Sequence, residues 1–596
     1  MSSLYEVVTV VSSIVLRLSA YIFLRWIPSH QFPMVIYTSF ALYTPTFLIL
    51  FYQAQKTQHA TTKGCSQTEF PTVKGYTKNS VLEIKLEQKI ITKRSHKIWP
   101  TLLLGLPSPK SILISLISFT TNLVLVLGVL DLVYHARLLY PVENLSFARL
   151  GYISPTEAKL IVREPNTSKL PVYVYYRLLN STTDREDAPW KDVDIIKSTG
   201  NQTDYTATVT IKLPNTPEQT YQWKTSTNHT GVFTTPPYPG KFTSDGDFTF
   251  LTSSCIKARF PYNPLTHALQ IPGFKHLAQG LKYFPRAQFM LFLGDFIYID
   301  VPKRFGITAE DYRREYRQVY ASPDWPLVGQ NLSWIHVLDD HEIANDWDRR
   351  TTGLYRSAVD PWHHYQTVAN PPSPKHILSP NNLTYYEFTQ GPASFFMLDT
   401  RSYRDSSRDI PAKAKGKTML GSSQLSAFLD FLRKPEAEGV KWKFVISSIP
   451  FTKNWRVNAQ DTWAGYLNER KIILEAMWDA SHQNNVKIVV LSGDRHEFAA
   501  TAFPPPDGGK WPLSSTVYEY SVGPLSQFYL PIPTYMQFDN EDVKVKYIPA
   551  GNSKFGVITI KKAKSSNHST LNFQLYVDGL ETWSNTLSSP PFLSKV

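Results

Sequence analysis

Phe289-Met-Leu-Phe-Leu-Gly-Asp-Phe-Ile-Tyr298 decides how this chain reads. Five apolar residues run into Gly294, and Asp295 and Tyr298 follow at once. Such a run fits a fully buried strand, bounded by a glycine that lets the backbone turn sharply. Ligands of open α/β sheets bind outside the carboxyl ends of the strands, so Asp295 stands where chemistry is usually done. A single aspartate there is as readily a turn or helix-cap residue. Repetition makes caps an insufficient explanation. Phe248–Cys255 ends in a thiol, and Trp334–Glu342 ends in Asp339, Asp340, His341 and Glu342. Phe395–Arg401 ends in Asp399 and Arg401, Lys443–Ser448 in hydroxyls, and Val486–His496 in Asp494 and His496. Six apolar runs thus close on side chains that ligate metal or transfer protons.

Helical stretches lie between these runs, Ala309–Tyr320 and Ser422–Leu432 among them. That alternation predicts an α/β layered domain over residues 245–596, with Phe555–Ile560 and Thr570–Tyr576 as closing strands. Residues 141–240 read differently. Val172–Arg177, Tyr205–Lys212 and Tyr221–Lys224 are β-branched or aromatic runs separated by turn residues, which predicts a small all-β domain of immunoglobulin or fibronectin type. Such a domain serves either as a spacer or as a lid that guides substrate. Thr234–Gly240 reads as a linker.

Residues 1–140 predict a transmembrane region. Residues 33–52 and 111–130 carry no charge and are each long enough to cross a bilayer. Residues 4–27 are also apolar but hold Arg17 and Arg25, and a central Arg costs about 2.5–3.5 kcal/mol on insertion scales. The loop 53–110 has ten Lys or Arg against Glu69, Glu83 and Glu87, which makes it cytoplasmic by the positive-inside rule. Everything after the third span then faces a lumen or the exterior. An independent pattern agrees. Asn-X-Ser/Thr acceptors occur at Asn144, Asn166, Asn180, Asn201, Asn228, Asn331, Asn382 and Asn567, all beyond that span. The expectation is an integral membrane glycoprotein of the secretory pathway, vacuole or cell surface.

Bulk properties bound the rest. The chain has 596 residues, 42% of them apolar, so it exceeds one ordinary domain and has ample material for a core. Cys65 and Cys255 are its two cysteines, too few for a disulfide scaffold. The net charge of +13 is spread along the chain without a nucleic-acid motif, and the predicted topology removes nucleic acid as a partner.

Carboxylates, imidazole and thiolate at strand ends suit a site for two or more metal ions. Two such ions clamp a phosphate and activate a water, and a bridging carboxylate holds them close; Asp295 is the natural candidate. Tyr298, three residues on, can return its phenolate to the same metal, or simply pack as an aromatic. His341 beside Asp340 can protonate a leaving oxygen, or be a core histidine bonded to backbone. Arg401 offers a planar fork for phosphate oxygens, or an ion pair with Asp399. Asp494 and His496 share one side of an extended chain, two residues apart.

The set Cys255, Gly294–Tyr298, Asp339–Glu342 with Asn345, Leu398–Arg404 and Gly493–His496 resembles the PhoD-like alkaline phosphatases of the calcineurin-like metallophosphatase superfamily. Thr230–Pro237 resembles the end of that family's N-terminal domain, and residues 1–140 lie outside the likeness. The resemblance implies a β-sandwich core flanked by helices, a ferric ion with calcium, and hydrolysis of phosphate esters by a metal-activated hydroxide. It implies that Cys255 and Tyr298 hold iron and Asp295 bridges. Asp340, Asp494 and His496 complete the metal shells, His341 is the acid, and Asn345 and Arg401 lie near the phosphate. Two departures stand out: Cys255 replaces the superfamily's Asp-X-His, and Ile446–Pro450 lacks its histidine. Two competitors remain, a phosphodiesterase acting on lipid- or glycan-linked phosphate and a catalytically inactive membrane receptor.

Overall fold

The computed structural model describes residues 2–65, 98–179, 188–372, 383–563 and 568–591. Asn180, Asn382, Asn567 and residues 66–97 of the basic loop lie outside the described residues. The chain forms two compact units, Met1–Leu24 with Pro28–Val133, and Arg25–Ile27 with Tyr134–Val596.

The first unit is built on helices α1 (Ser2–Arg25), α2 (Gln31–Cys65), α3 (Ile98–Leu104) and α4 (Ile112–Leu139). Within them Ser3–Arg25, Gln31–Lys56 and Ile112–Leu139 are long and apolar enough to cross a bilayer. The arginine that made the first span expensive has partners inside this unit. Arg17 Nε donates to Asn122 Oδ1 at 2.6 Å, and its guanidinium also donates to the carbonyls of Leu102, Leu103 and Ser118. Asn122 Nδ2 in turn donates to Ser13 Oγ at 3.0 Å. A cation bonded to neighbouring helices is the arrangement that a helix crossing lipid would require. The seven-residue α3, which supplies two of those carbonyls, is apolar but too short to cross a bilayer.

In the second unit, seven strands come first: β1 (Phe147–Ile153), β2 (Glu157–Arg163), β3 (Val172–Leu178), β4 (Lys191–Ile196), β5 (Thr206–Lys212), β6 (Thr220–Thr225) and β7 (Thr230–Thr234). They make antiparallel sheets of order β1-β2-β5 and β4-β3-β6-β7. Leu160, Val162 and Val209 from one sheet and Val172, Val174, Trp223 and Phe233 from the other share one core.

The remaining strands are β8 (Asp247–Ser253), β9 (Phe289–Phe292), β10 (Ser333–His336), β11 (Tyr386–Gln390), β12 (Ala393–Met397), β13 (Trp442–Ser447), β14 (Lys487–Ser492), β15 (Phe498–Phe503), β16 (Val517–Ser521), β17 (Val543–Ile548), β18 (Lys554–Lys562), β19 (Ser569–Val577) and β20 (Leu580–Ser588). They form a six-stranded sheet, β10-β9-β8-β18-β19-β20, and a seven-stranded sheet, β11-β12-β13-β14-β16-β15-β17. Strands β8, β9 and β10 run parallel, as do β12, β13, β14 and β16.

The two sheets pack face to face through Phe250, Phe289, Leu291, Phe395, Phe444 and Leu491. Phe250 meets Phe395 and Phe444 edge-on at 5.4 and 5.1 Å. Helices α5 (Pro272–Leu281), α6 (Ala309–Tyr320), α7 (Pro326–Gly329) and α8 (Tyr355–Tyr365) cover the outer face of the first sheet; α9 (Gly421–Arg433) and α10 (Leu467–Gln483) cover that of the second. This layering explains the opening run. In β9, Phe289 and Leu291 point into the inter-sheet core while Met290 and Phe292 point toward the helices, so no position is left for a polar residue.

Candidate metal centre

Strands β8, β9, β10, β12, β13 and β14 deliver their polar ends to one place. Asp295 Oδ2 accepts from the Tyr298 hydroxyl at 2.9 Å and from the Cys255 thiol at 3.3 Å. The Tyr298 oxygen lies 3.1 Å from His496 Nε2. The Asp295 carboxylate also accepts the backbone N–H of His341 at 3.3 Å. Ligand atoms of Cys255, Asp295 and His496 lie within 4.8 Å of one another, as do those of Asp295, Asp340 and His341. The same holds for Asp339, Asp340 and Asp494, and for Asp340, Asp346 and Asp461. Every metal-ligand candidate read from the sequence is therefore here: Cys255, Asp295, Tyr298, Asp340, Asp494 and His496.

The backbone is held for this purpose. Cys255, Asp295 and Asp494 have φ of 60°, 58° and 66°, a left-handed conformation uncommon for side-chain-bearing residues and concentrated at functional sites. Gly294 has φ 97°, and a Cβ there would lie 2.4 Å from Asp339 Cβ. Only glycine lets β9 and β10 bring their acids this close. Glu342 staples the turn by accepting the N–H groups of Asp295, Phe296 and Asp339 at 3.1, 2.6 and 2.9 Å.

Charge is crowded and dry. Burial pushes the Cys255 thiol, the Asp295 carboxyl and the Tyr298 phenol well above their ordinary values, and neighbouring carboxylates add to each shift. Burial raises Asp494 to about 8, with Asp339 and Asp340 contributing, and raises Asp339 to about 6. Asp339 Oδ2 is buried without a hydrogen-bond partner. Hard carboxylate oxygens, an imidazole, a phenol and a thiol gathered at such cost fit bound cations, which would supply the missing positive charge.

His341 stands beside this cluster. Its Nδ1 is 2.7 Å from Asp300 Oδ1, and its ring lies 4.1 Å from that of Tyr298. Burial opposes the imidazolium, but Asp300, Asp340 and Asp295 outweigh it and raise His341 well above its usual range. Burial alone would raise Asp300; the His341 charge and hydrogen bonds hold it at about 2. The other Asp300 oxygen accepts Asn345 N at 2.7 Å. Asn345 is exposed and lines a cleft of about 730 Å³ between residues 344–354 and Ser406–Asp409.

Arg401 is placed behind the acids. It is fully buried, and its Nε bonds Asp339 Oδ1 at 2.5 Å while Nη1 bonds Asp461 Oδ2 at 2.9 Å. Its Nη2, without a hydrogen bond, lies 3.6 Å from Asp340 and 3.7 Å from Asp494. Asp399 accepts the N–H groups of Arg401 and Ser402 instead of pairing with the guanidinium. Ser448, in the block that lacks a histidine, donates to Asp339 Oδ1 at 3.0 Å.

Sequence reasoning left Asp300, Glu342, Asp346 and Asp461 without roles. Glu342 sits inside a block already singled out, Asp300 lies two residues beyond Tyr298, and Asp346 adjoins Asn345. Asp461 lies in a short 3-10 turn far from any block, and no local signal marks it.

A family model described as PhoD-like phosphatase matches residues 250–570. Among solved structures, one titled "Structure of PhoD" is similar at a TM-score of 0.55 and 17% identity, covering 75% of this chain and 89% of that one. At that identity the likeness shows the fold alone. A search of curated proteins found no match.

Proposed function

The chain belongs to the PhoD-like phosphatase family, a metal-dependent phosphoesterase family, and from that premise we propose that it is a membrane-anchored phosphatase whose catalytic unit faces a lumen or the exterior. The observation that carries the catalytic part is the convergence of Cys255, Asp295, Tyr298, Asp340, Asp494 and His496 on one buried cluster. In this reading Cys255, Tyr298, Asp295 and His496 would hold a ferric ion, and Asp295, Asp340 and Asp494 would hold calcium. Bound there, the ions supply an activated water and offset charge on the phosphate. His341 holds a proton for the leaving oxygen, and Asp300 fixes its ring and favours its charged form. Asn345 meets the ester from the cleft. Arg401 acts on the acids: it balances Asp339, Asp340 and Asp494 from behind and keeps them in position.

The proposed division is a transmembrane region over 1–140, a sandwich of immunoglobulin or fibronectin type over 141–240, and the metallophosphatase domain over 245–596. Support for the sidedness comes from the acceptor asparagines. Asn144, Asn166, Asn201, Asn228 and Asn331 are all exposed. Glycosidase treatment should shift gel mobility by several glycans, and an unshifted band sinks this topology.

The deciding experiment is metal analysis of the purified full-length protein with assays on a soluble chromogenic phosphomonoester and phosphodiester. Iron with calcium, visible absorption and turnover are expected. A folded protein that holds no metal and turns nothing over makes the receptor the better reading.

A further inference from the structure

Ile532, Met536 and Phe538 are 60%, 62% and 65% exposed, and Val457 is 45% exposed. Apolar side chains gathered this openly mark an interaction surface. They belong to two segments held side by side: Arg456 N donates to Thr534 O at 2.8 Å and Met536 N to Asn454 O at 2.9 Å. Trp455 and Tyr535 fill the inner side of this ribbon at 5.1 Å, which fixes Arg456 and Met536 outward. The patch is therefore rigidly mounted.

It also adjoins the metal centre. Phe528, four residues before Ile532, packs edge-on against the His496 ring at 4.4 Å. Asn458, next to Val457, donates to Asp346 Oδ1 at 2.8 Å and accepts from Arg495 at 3.1 Å. The apolar rim thus runs directly into residues that touch the acids.

Two observations name the occupant. Lys453 takes up Asp539 and Glu541, while Arg456 and Lys544, whose backbone N–H donates to Gln537 Oε1 at 2.9 Å, are cations of this face without a carboxylate partner among the described residues. Arg456 lies over the Phe538 ring and donates to Met536 O at 2.8 Å, a guanidinium set level with exposed apolar groups. Apolar side chains with interspersed Lys and Arg are what an anionic lipid surface accepts. In addition, Trp26, directly after α1, belongs to this same compact unit and packs edge-on against Tyr529 at 5.4 Å. Tryptophan at the end of an apolar helix is the residue of the membrane–water boundary.

We propose that Val457 and the Ile532–Phe538 loop dock on the bilayer that the N-terminal helices cross, and present the metal centre to phosphate esters carried on lipids in that bilayer. The substrate half rests on the phosphoesterase reading; the docking stands on the surface alone. The reaction is hydrolysis: the water oxygen bonds to phosphorus, the phosphorus–oxygen bond to the lipid breaks, and the proton goes to the leaving oxygen.

The test uses the full-length chain in nanodiscs of phosphatidylcholine with phosphatidic acid and phosphatidylglycerol. For docking, Met536→Cys in a Cys65→Ser background carries an environment-sensitive dye; Cys255 is buried and stays unlabelled. Brominated acyl chains should quench the dye, and an unquenched dye overturns the docking. A blue shift that vanishes on dilution, without quenching, reveals a second copy on this face and overturns it equally. For the substrate, the triple variant Ile532→Ser/Met536→Ser/Phe538→Ser should hydrolyse a soluble chromogenic ester within about twofold of wild type, which also reports folding. Its turnover of the lipid esters should fall at least tenfold. Equal lipid turnover by variant and wild type, or soluble turnover with no lipid turnover by wild type, overturns the substrate half. If wild type hydrolyses neither, the phosphoesterase reading fails, and the quenching still decides the docking.

Discussion

The two ends of the central strands both bury charge, and they handle it in opposite ways. At the amino ends of β13 and β14 stand Lys441, Lys443 and Lys487. Lys443 Nζ reaches Glu436 at 2.7 Å and the Phe431 carbonyl, Lys487 Nζ bonds Ser514 O at 2.9 Å, and Lys441 Nζ bonds Asn485 O at 3.2 Å. Each amine has its own partner. At the carboxyl ends, Asp295, Asp339, Asp340 and Asp494 share one buried volume, with Arg401 in ion pairs with three of the four, Arg495 against Asp494 at 3.1 Å and His341 beside Asp295 and Asp340. Burying a charge against its own carboxylate or carbonyl partner is structural; burying like charges together is tolerable only where something else supplies the balance. The contrast separates a scaffold end from a site end without reference to any motif.

The largest expected effect comes from the most crowded acid. Asp295→Asn should reduce hydrolysis on the order of 10³-fold or more and lower metal content. In metal-free protein the same change relieves repulsion, so the melting temperature should hold or rise. A fall would show that the acids are not in net conflict. Gly294→Ala is expected to cost about 2–4 kcal/mol and to displace Asp295, because the new Cβ meets Asp339 at a backbone angle that favours glycine. Chemical denaturation with metal titration checks both parts, and wild-type stability would remove the close-approach argument.

Asp300→Asn should lower kcat by about 10–100-fold, the scale of a lost outer hydrogen bond to a working histidine. With the Asp300 charge gone His341 loses its proton at lower pH, so the alkaline limb of the rate profile should move down. An unmoved limb would separate the pair from catalysis. The smallest effect lies at the scaffold end. Burial lowers Lys487 to about 8 from 10.5. Its contribution is fully present above 10.5 and is lost as pH falls through 8. Wild type should therefore gain on Lys487→Met between pH 8 and 10.5, by at most about 3 kcal/mol. Parallel stability curves would mean that the amine is solvated.

Most of the catalytic fold was legible locally. β9 reads as buried on both faces because it is, and α6 and α9 fall where their periodicity puts them. The three long apolar helices were legible for the same reason, since hydropathy and length are summed along the chain. What failed to show was whatever depends on groups meeting across the fold. Arg17 looked costly within its own helix, and its acceptors are more than 80 residues away in sequence. Arg401 looked like a phosphate fork or a partner of Asp399, two residues off; its guanidinium passes over Asp399 and bonds Asp339 and Asp461, each about 60 residues distant.

By itself the sequence determined the periods: which runs are buried strands, which are amphipathic helices, which are long enough to cross lipid, and that six strands end in chemically active side chains. Those properties follow from neighbours along the chain, where propensity and burial act residue by residue. Only the tertiary structure decided that the six ends meet, that Asp461 joins them, and that an apolar rim borders the result. Those depend on close approach between distant segments, where a left-handed turn at Asp295 and a missing Cβ at Gly294 determine which charges share one volume.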